Sequence, residues 1–206
     1  MMRVILFGYY GFGNSGDEAV LAGLLHGLRQ FGPSDVEYLV LSGNPKQTDT
    51  LHGVPAKPRN DWRTLVREAS AADLWIFGGG SLLQNVTGPL TLPYYLGVMR
   101  LIRLRGSRFA LHAQGVGPIA GRVSRRMTGS AVKRAARISV RDSASKETLV
   151  ALGIPAAAVH MGADLAFLLP APKADQSVGP RGQVAVAVRE WGETDRWLPQ
   201  LLEGLR

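Results

Sequence analysis

The sequence contains no cysteine, which removes disulfides, thiolate metal ligands and cysteine nucleophiles together. Long apolar runs are missing too. No stretch reaches the roughly 20 residues that a membrane span requires. The run at 4–7 is broken by Gly8 before it attains the apolar core, about 7 to 15 residues long, of a secretory signal. A cytoplasmic location is expected. Acidic residues are nearly absent from one part of the chain: from residue 100 to 146, twelve Lys and Arg stand against Asp142 alone. Aromatic residues are also missing there except Phe109, so the stacking platform of a single-strand binder is not present, and nucleic acid is the least fitting anionic partner. A phosphorylated substrate, or a lipid-linked sugar diphosphate met by peripheral contact at the inner membrane face, suits the charge better, while a solvated helix surface accounts for the same arginines without any ligand. The four histidines, at 26, 52, 112 and 160, have no metal-ligand spacing, so no metal or resident cofactor is expected.

What is present is an alternation. Short apolar runs at 4–7, 36–41, 74–77, 109–112, 138–140 and 184–188 read as strands, and the longer amphipathic segments at 18–31, 62–71, 92–105, 122–136, 143–152 and 195–205 read as helices. Strand followed by helix, repeated, predicts an α/β fold, a Rossmann-like doubly wound parallel sheet. Residues 1–169 form the expected N-terminal domain, and the Pro-, Gly- and polar-rich stretch 170–182 an interdomain linker. Residues 183–206 then supply one strand and one helix, the expected start of a second domain cut short.

The chemistry-bearing motifs fall where strands end. Gly11, Gly13 and Gly16 satisfy G-x-G-x-x-G between the first strand and first helix. The second strand, however, ends Leu41, Ser42, Gly43, without the acid that would hold a nucleotide ribose. Asp17 and Glu18 sit where a pyrophosphate would have to dock and would repel it. Two acids at a helix start also suit the macrodipole. The alternative is a polar site in which Asn14 orients a hydroxyl and Asp17 exchanges a proton with it. Farther on, Gly78, Gly79, Gly80 and Ser81 form a turn whose amides can face an anion or a sugar, or which packs tightly against a neighbouring loop. Gln114 could bond a sugar hydroxyl or be a satisfied loop amide. Arg141, at the end of the fifth of these runs, has the planar fork that suits a carboxylate or phosphate, or that pairs with Asp142. Asp164 reads as a hinge or supporting residue.

Taken together, Gly13 to Glu18, the triple glycine with Ser81, the turn Gln114, Gly115, Val116, Gly117, Pro118, and Ser139 to Asp142 resemble the polysaccharide pyruvyl transferases, particularly those that modify bacterial secondary cell-wall polymers. The resemblance implies a GT-B-like pair of Rossmann-like domains, phosphoenolpyruvate as donor, a sugar or lipid-linked saccharide as acceptor, and a cyclic pyruvate ketal as product. It implies that Arg141 holds the donor and that Asn14 and Asp17 belong to the acceptor-side loop. Gly13, Glu18, Gly79, Gly80, Ser81 and Gln114 are the remaining substrate-binding candidates. Further basic donor-binding residues belong to the family's second domain, so impaired activity is expected of this chain alone. A GT-B glycosyltransferase using a nucleotide sugar and a non-catalytic sugar-binding module are the competing readings.

Overall fold

Parallel strands can be joined only by long crossovers, and the sequence supplies a helix for nearly every one. The computed structural model describes residues 1–86, 88–170 and 194–204. The chain divides into two compact units, Met1–Pro170 and Ala171–Arg206. In the first unit the strands are β1 (Met2–Phe7), β2 (Val36–Ser42), β3 (Ala56–Pro58), β4 (Leu74–Gly78), β5 (Arg108–Gln114), β6 (Arg137–Val140) and β7 (Val159–Met161). They form one sheet in the order β3-β2-β1-β4-β5-β6-β7, and every pairing is parallel. The chain reverses its direction of winding between β1 and β4. At such a switch point the loops leaving the carboxyl ends of the two strands diverge and leave a crevice.

The helices are α1 (Ser15–Phe31), α2 (Pro45–His52), α3 (Trp62–Ala71), α4 (Thr91–Leu104), α5 (Arg122–Val132) and α6 (Ser143–Ala151). Side chains alternate across the sheet, so odd and even strand positions enter different cores. Phe7, Trp75, Phe77, Phe109, Ile138 and Val140 pack into the larger core with α3, α4, α5 and α6. Val4, Leu6, Val40 and Ile76 pack into the smaller one with Val20, Leu21, Leu24 and Leu25 of α1. That smaller core is closed by Leu165, from a 3-10 turn at Leu165–Leu168 that lies against α1. The contact is backbone-close: a Cβ on Gly23 would fall 2.0 Å from the Leu165 carbonyl oxygen.

Three elements were not expected from the sequence. α2 buries only Thr48, so it has almost no apolar stripe to read, although Asn44 caps it and Pro45 opens it. β3 and β7 are three residues each, at the two edges of the sheet. α5 is shorter than its pattern predicts and stops at Val132, because the chain must turn for the Ala136 amide to join the Phe109 carbonyl at 2.7 Å. In the second unit, Thr194–Gly204 forms α7 with Pro199 inside it. The expected strand at 184–188 and all but Pro170 of the expected linker lie outside the described residues.

Candidate functional site

Because all strands run the same way, the loops after β1, β4, β5 and β6 meet at one edge of the sheet. The loop after β1 is braced from within. Glu18, in the first turn of α1, accepts from the Gly11 amide at 2.8 Å with one oxygen, and its other oxygen lies 2.9 Å from His52 Nε2. The sequence suggested Glu18 as a substrate contact; here both its oxygens are engaged by the protein. Asn14 is the N-cap of α1, its side-chain oxygen accepting from the Gly16 amide at 3.0 Å, which leaves its NH2 for a ligand. Gly13 is exposed, with φ of 73°.

Beneath this loop lies the group that sequence reading missed. Arg59 is 4% exposed, donates through Nη1 to the Gly8 carbonyl and through Nη2 to the Tyr95 hydroxyl at 2.9 Å, and sits within 5.2 to 5.6 Å of the rings of Phe7, Tyr9, Phe12, Tyr94 and Tyr95. Among the described residues no carboxylate pairs with it. Burial opposes its charge, and the Tyr95 and Tyr94 hydroxyls more than offset that opposition, leaving the guanidinium firmly protonated. Cation–π attraction replaces a counter-ion here. The signal available in sequence was the cluster Tyr9, Tyr10, Phe12 and Tyr94, Tyr95, which needs a reason to gather at one place.

The loops after β4 and β5 are laddered together. Gly79 donates to the His112 carbonyl at 2.8 Å, Gly115 to Gly80 at 2.7 Å, and Gly117 to Leu83 at 2.8 Å. Gly79 and Gly80 have φ of 62° and 68°, a backbone that side chains resist, and a Cβ on Gly79 would fall 2.2 Å from Val20. Gln114 locks this turn: it is fully buried, and its amide donates to the carbonyls of Phe77 and Gly79. It comes into that position because β5 breaks its alternation at Ala113, φ 51°, where the register with β6 also shifts. Among the described residues neither the Gly80 nor the Ser81 amide has a hydrogen-bond partner.

Arg141 leaves β6 at the same edge. Its Nη1 donates to Asp164 at 2.8 Å, its Nη2 to Ser81 Oγ at 3.0 Å, and its Nε lies 3.5 Å from Asp142. A guanidinium has five N–H groups, so one on each terminal nitrogen remains for a ligand. Gly115 is needed for this approach, since a Cβ there would fall 2.5 Å from Ser81 Oγ and 3.0 Å from Arg141. Asp17 reaches the same turn from α1, and a Cβ on Gly80 would stand 3.3 Å from its Oδ1. Burial raises the Asp17 carboxyl above the ordinary aspartate range, Glu18 adds to the rise, and Arg141 and Arg59 oppose it. The structure thus brings Asp17, Gly80, Ser81 and Arg141 together, places Asn14 and Gly13 on the adjoining loop, and sets Glu18 and Gln114 behind them. No cluster of metal-binding side chains occurs among the described residues.

A parallel seven-stranded sheet with its polar residues gathered at the carboxyl edge by the switch point defines a Rossmann-like α/β protein of the GT-B-like kind. The chain matches the polysaccharide pyruvyl transferase family over residues 14–204 and belongs to that family. No curated protein matches it. Among solved structures it is similar to HepE (Alr3699) of Anabaena in complex with UDP, with a TM-score of 0.53 at 12% identity, covering 79% of this chain and 44% of that one. It is also similar to UDP-GlcNAc 2-epimerase of Neisseria meningitidis bound to UDP-GlcNAc, with a TM-score of 0.50 at 12% identity, covering 78% of this chain and 45% of that one. These likenesses are of fold. The chain spans less than half the length of either structure.

Proposed function

We propose that this protein takes part in transfer of the pyruvyl group of phosphoenolpyruvate to a sugar of a cell-surface polysaccharide, or of its lipid-linked precursor, at the cytoplasmic side of the membrane. The observation that carries the reading is the pairing of a cationic fork, Arg141 with Ser81, and a half-buried acid, Asp17, across the Gly80 turn, in a chain of this family.

The reaction asks for both. A proton is added to the methylene carbon of the enol phosphate, which becomes the methyl group, and the adjacent carbon turns oxocarbenium-like. One sugar hydroxyl attacks that carbon and loses its proton, the carbon–oxygen bond to phosphate breaks, and inorganic phosphate leaves. A second hydroxyl closes the ketal and loses its proton in turn. Asp17, with its raised affinity for a proton, handles a proton on the acceptor side, and the Asn14 NH2 orients the sugar. Arg141 and the Gly80 and Ser81 amides receive the donor's phosphate or carboxylate. Glu18, Gln114 and Arg59 are positioning residues that fix the two loops. In this scheme the 1–169 domain carries Arg141 for the donor and Asn14 and Asp17 for the acceptor, and further basic donor-binding residues belong to the domain that starts after the 170–182 linker.

The test is phosphate release from phosphoenolpyruvate in the presence of an acceptor saccharide, together with thermal unfolding at millimolar phosphoenolpyruvate, since a ligand that binds the folded state raises its apparent stability. A shift in unfolding temperature that Arg141→Ala abolishes supports the donor assignment, and unchanged turnover in Asp17→Asn refutes the acid's role. Stabilisation by a nucleotide sugar and not by phosphoenolpyruvate would favour a glycosyltransferase instead, a reading kept open by the UDP present in the Anabaena structure.

A further inference from the structure

Away from the carboxyl-edge site, a groove of about 610 Å3 runs between α4 and α5. Its floor is apolar, with Leu96, Met99 and Phe109 buried beneath it. Its lips carry Leu104, Val123 and Met127, exposed by 73%, 72% and 51%. Four arginines rim it: Arg100 and Arg103 on α4, Arg126 on α5 and Arg134 in the turn that follows α5, all exposed and none paired with a carboxylate among the described residues.

We propose that this groove is where the protein docks on an anionic phospholipid surface. Exposed aliphatic side chains inside a ring of long cationic ones match a bilayer interface, where the apolar groups enter the acyl boundary while guanidinium groups extend to the lipid phosphates. A second copy of the chain fits poorly, because a two-fold interface here would set four arginines against the same four. Nucleic acid fits poorly as well, since the one aromatic ring of the groove, Phe109, is buried. A smaller hollow of about 320 Å3 continues the groove past Leu96 and Met127 to Asn85, in the loop that follows Ser81. Docking by this face therefore brings the carboxyl-edge loops close to the membrane, where a lipid-linked acceptor would lie. This deepens the pyruvyl-transfer reading and rests on it for its purpose, but not for its test.

Co-sedimentation with phosphatidylcholine vesicles containing roughly one quarter phosphatidylglycerol, compared with phosphatidylcholine alone, reads the interaction directly. Binding to the anionic vesicles only is expected, weakening as salt is raised. Arg103→Glu with Arg126→Glu is expected to weaken it roughly tenfold or more, Leu104→Ser with Val123→Ser to weaken it further at high salt, and Lys46→Glu with Arg63→Glu, an equal charge change elsewhere, to leave it nearly intact. No binding to anionic vesicles overturns the proposal. So does equal loss in the two charge-reversed variants, or a dimer in solution that the groove variants dissolve. Circular dichroism confirms that each variant is folded. Vesicle binding without stabilisation by phosphoenolpyruvate would sink the Arg141 donor assignment and leave the docking surface standing; stabilisation without vesicle binding would do the reverse.

Discussion

Arg141 and Asp164 join the exit of β6 to the segment after β7 through a 2.8 Å ion pair, and the same guanidinium holds Ser81. Both partners are partly exposed, with side chains 32% and 25% accessible, so the pair contributes little to stability, about 1 kcal/mol at most. Its effect is on aim. Asp164→Asn should leave the denaturation midpoint nearly unchanged while weakening phosphoenolpyruvate binding roughly tenfold, because the fork is no longer held in place. Arg141→Lys should weaken binding more, since an ammonium cannot reach Asp164, Ser81 and a ligand at once. Titration followed by the unfolding temperature checks both.

Asp17 makes stability depend on pH in a direction opposite to that of most carboxylates. Its folded-state pKa lies above the unfolded one, mainly through burial, so the folded protein binds the extra proton and stability falls as pH rises through that interval. Asp17→Asn should therefore unfold at a higher temperature than the parent at pH 7, and the advantage should shrink as pH falls and vanish below about pH 3, where both states of the parent are protonated. A variant less stable at pH 7 would mean that Arg141 and Arg59 outweigh burial.

Arg59 supports the glycine loop from beneath. Arg59→Ala removes the bonds to Gly8 and Tyr95 and leaves a hole among five rings, at an expected cost of about 3 kcal/mol; urea denaturation measures it. Arg59→Lys keeps the charge without the fork and should still lose about 2 kcal/mol. If Arg59→Met proves as stable as the parent, the desolvated charge offsets its own contacts.

Gln114 separates a structural role from a binding one. Gln114→Leu leaves the Phe77 and Gly79 carbonyls without their donor and should cost about 2 to 3 kcal/mol. Gln114→Glu should cost more, as it sets a buried carboxylate against two carbonyl oxygens. Either variant, studied while still folded at low temperature, should keep acceptor affinity; its loss would make Gln114 a direct contact.

The reading of this sequence succeeds where a local pattern reports burial. The apolar runs that became β1, β2, β4, β5 and β6 are continuous because a central parallel strand is covered on both faces, and Trp62–Ala71 lies where its pattern places it because Asp61 caps a helix with a clear apolar stripe. Edge elements give no such report: Ala56, Lys57 and Pro58 form a strand only because β2 is there to pair with them. The same holds within the site. Asp17, Ser81 and Arg141 could be placed at strand ends from their order alone, and they meet. That Glu18 would turn inward to His52, that Gln114 would sit beneath the turn, and that Arg59 would be caged all depend on residues distant in sequence, which no local window of the chain contains.

The seating of Leu165 against Gly23 has a consequence for how the protein is made. One face of the sheet is sealed by a segment translated some 140 residues after the helix it covers, so Val20, Leu24 and Ile76 wait without that cover until late in synthesis. A nascent chain that has not yet delivered Leu165 presents them to chaperones and proteases, and premature termination anywhere before it produces a species prone to aggregate rather than a smaller working domain.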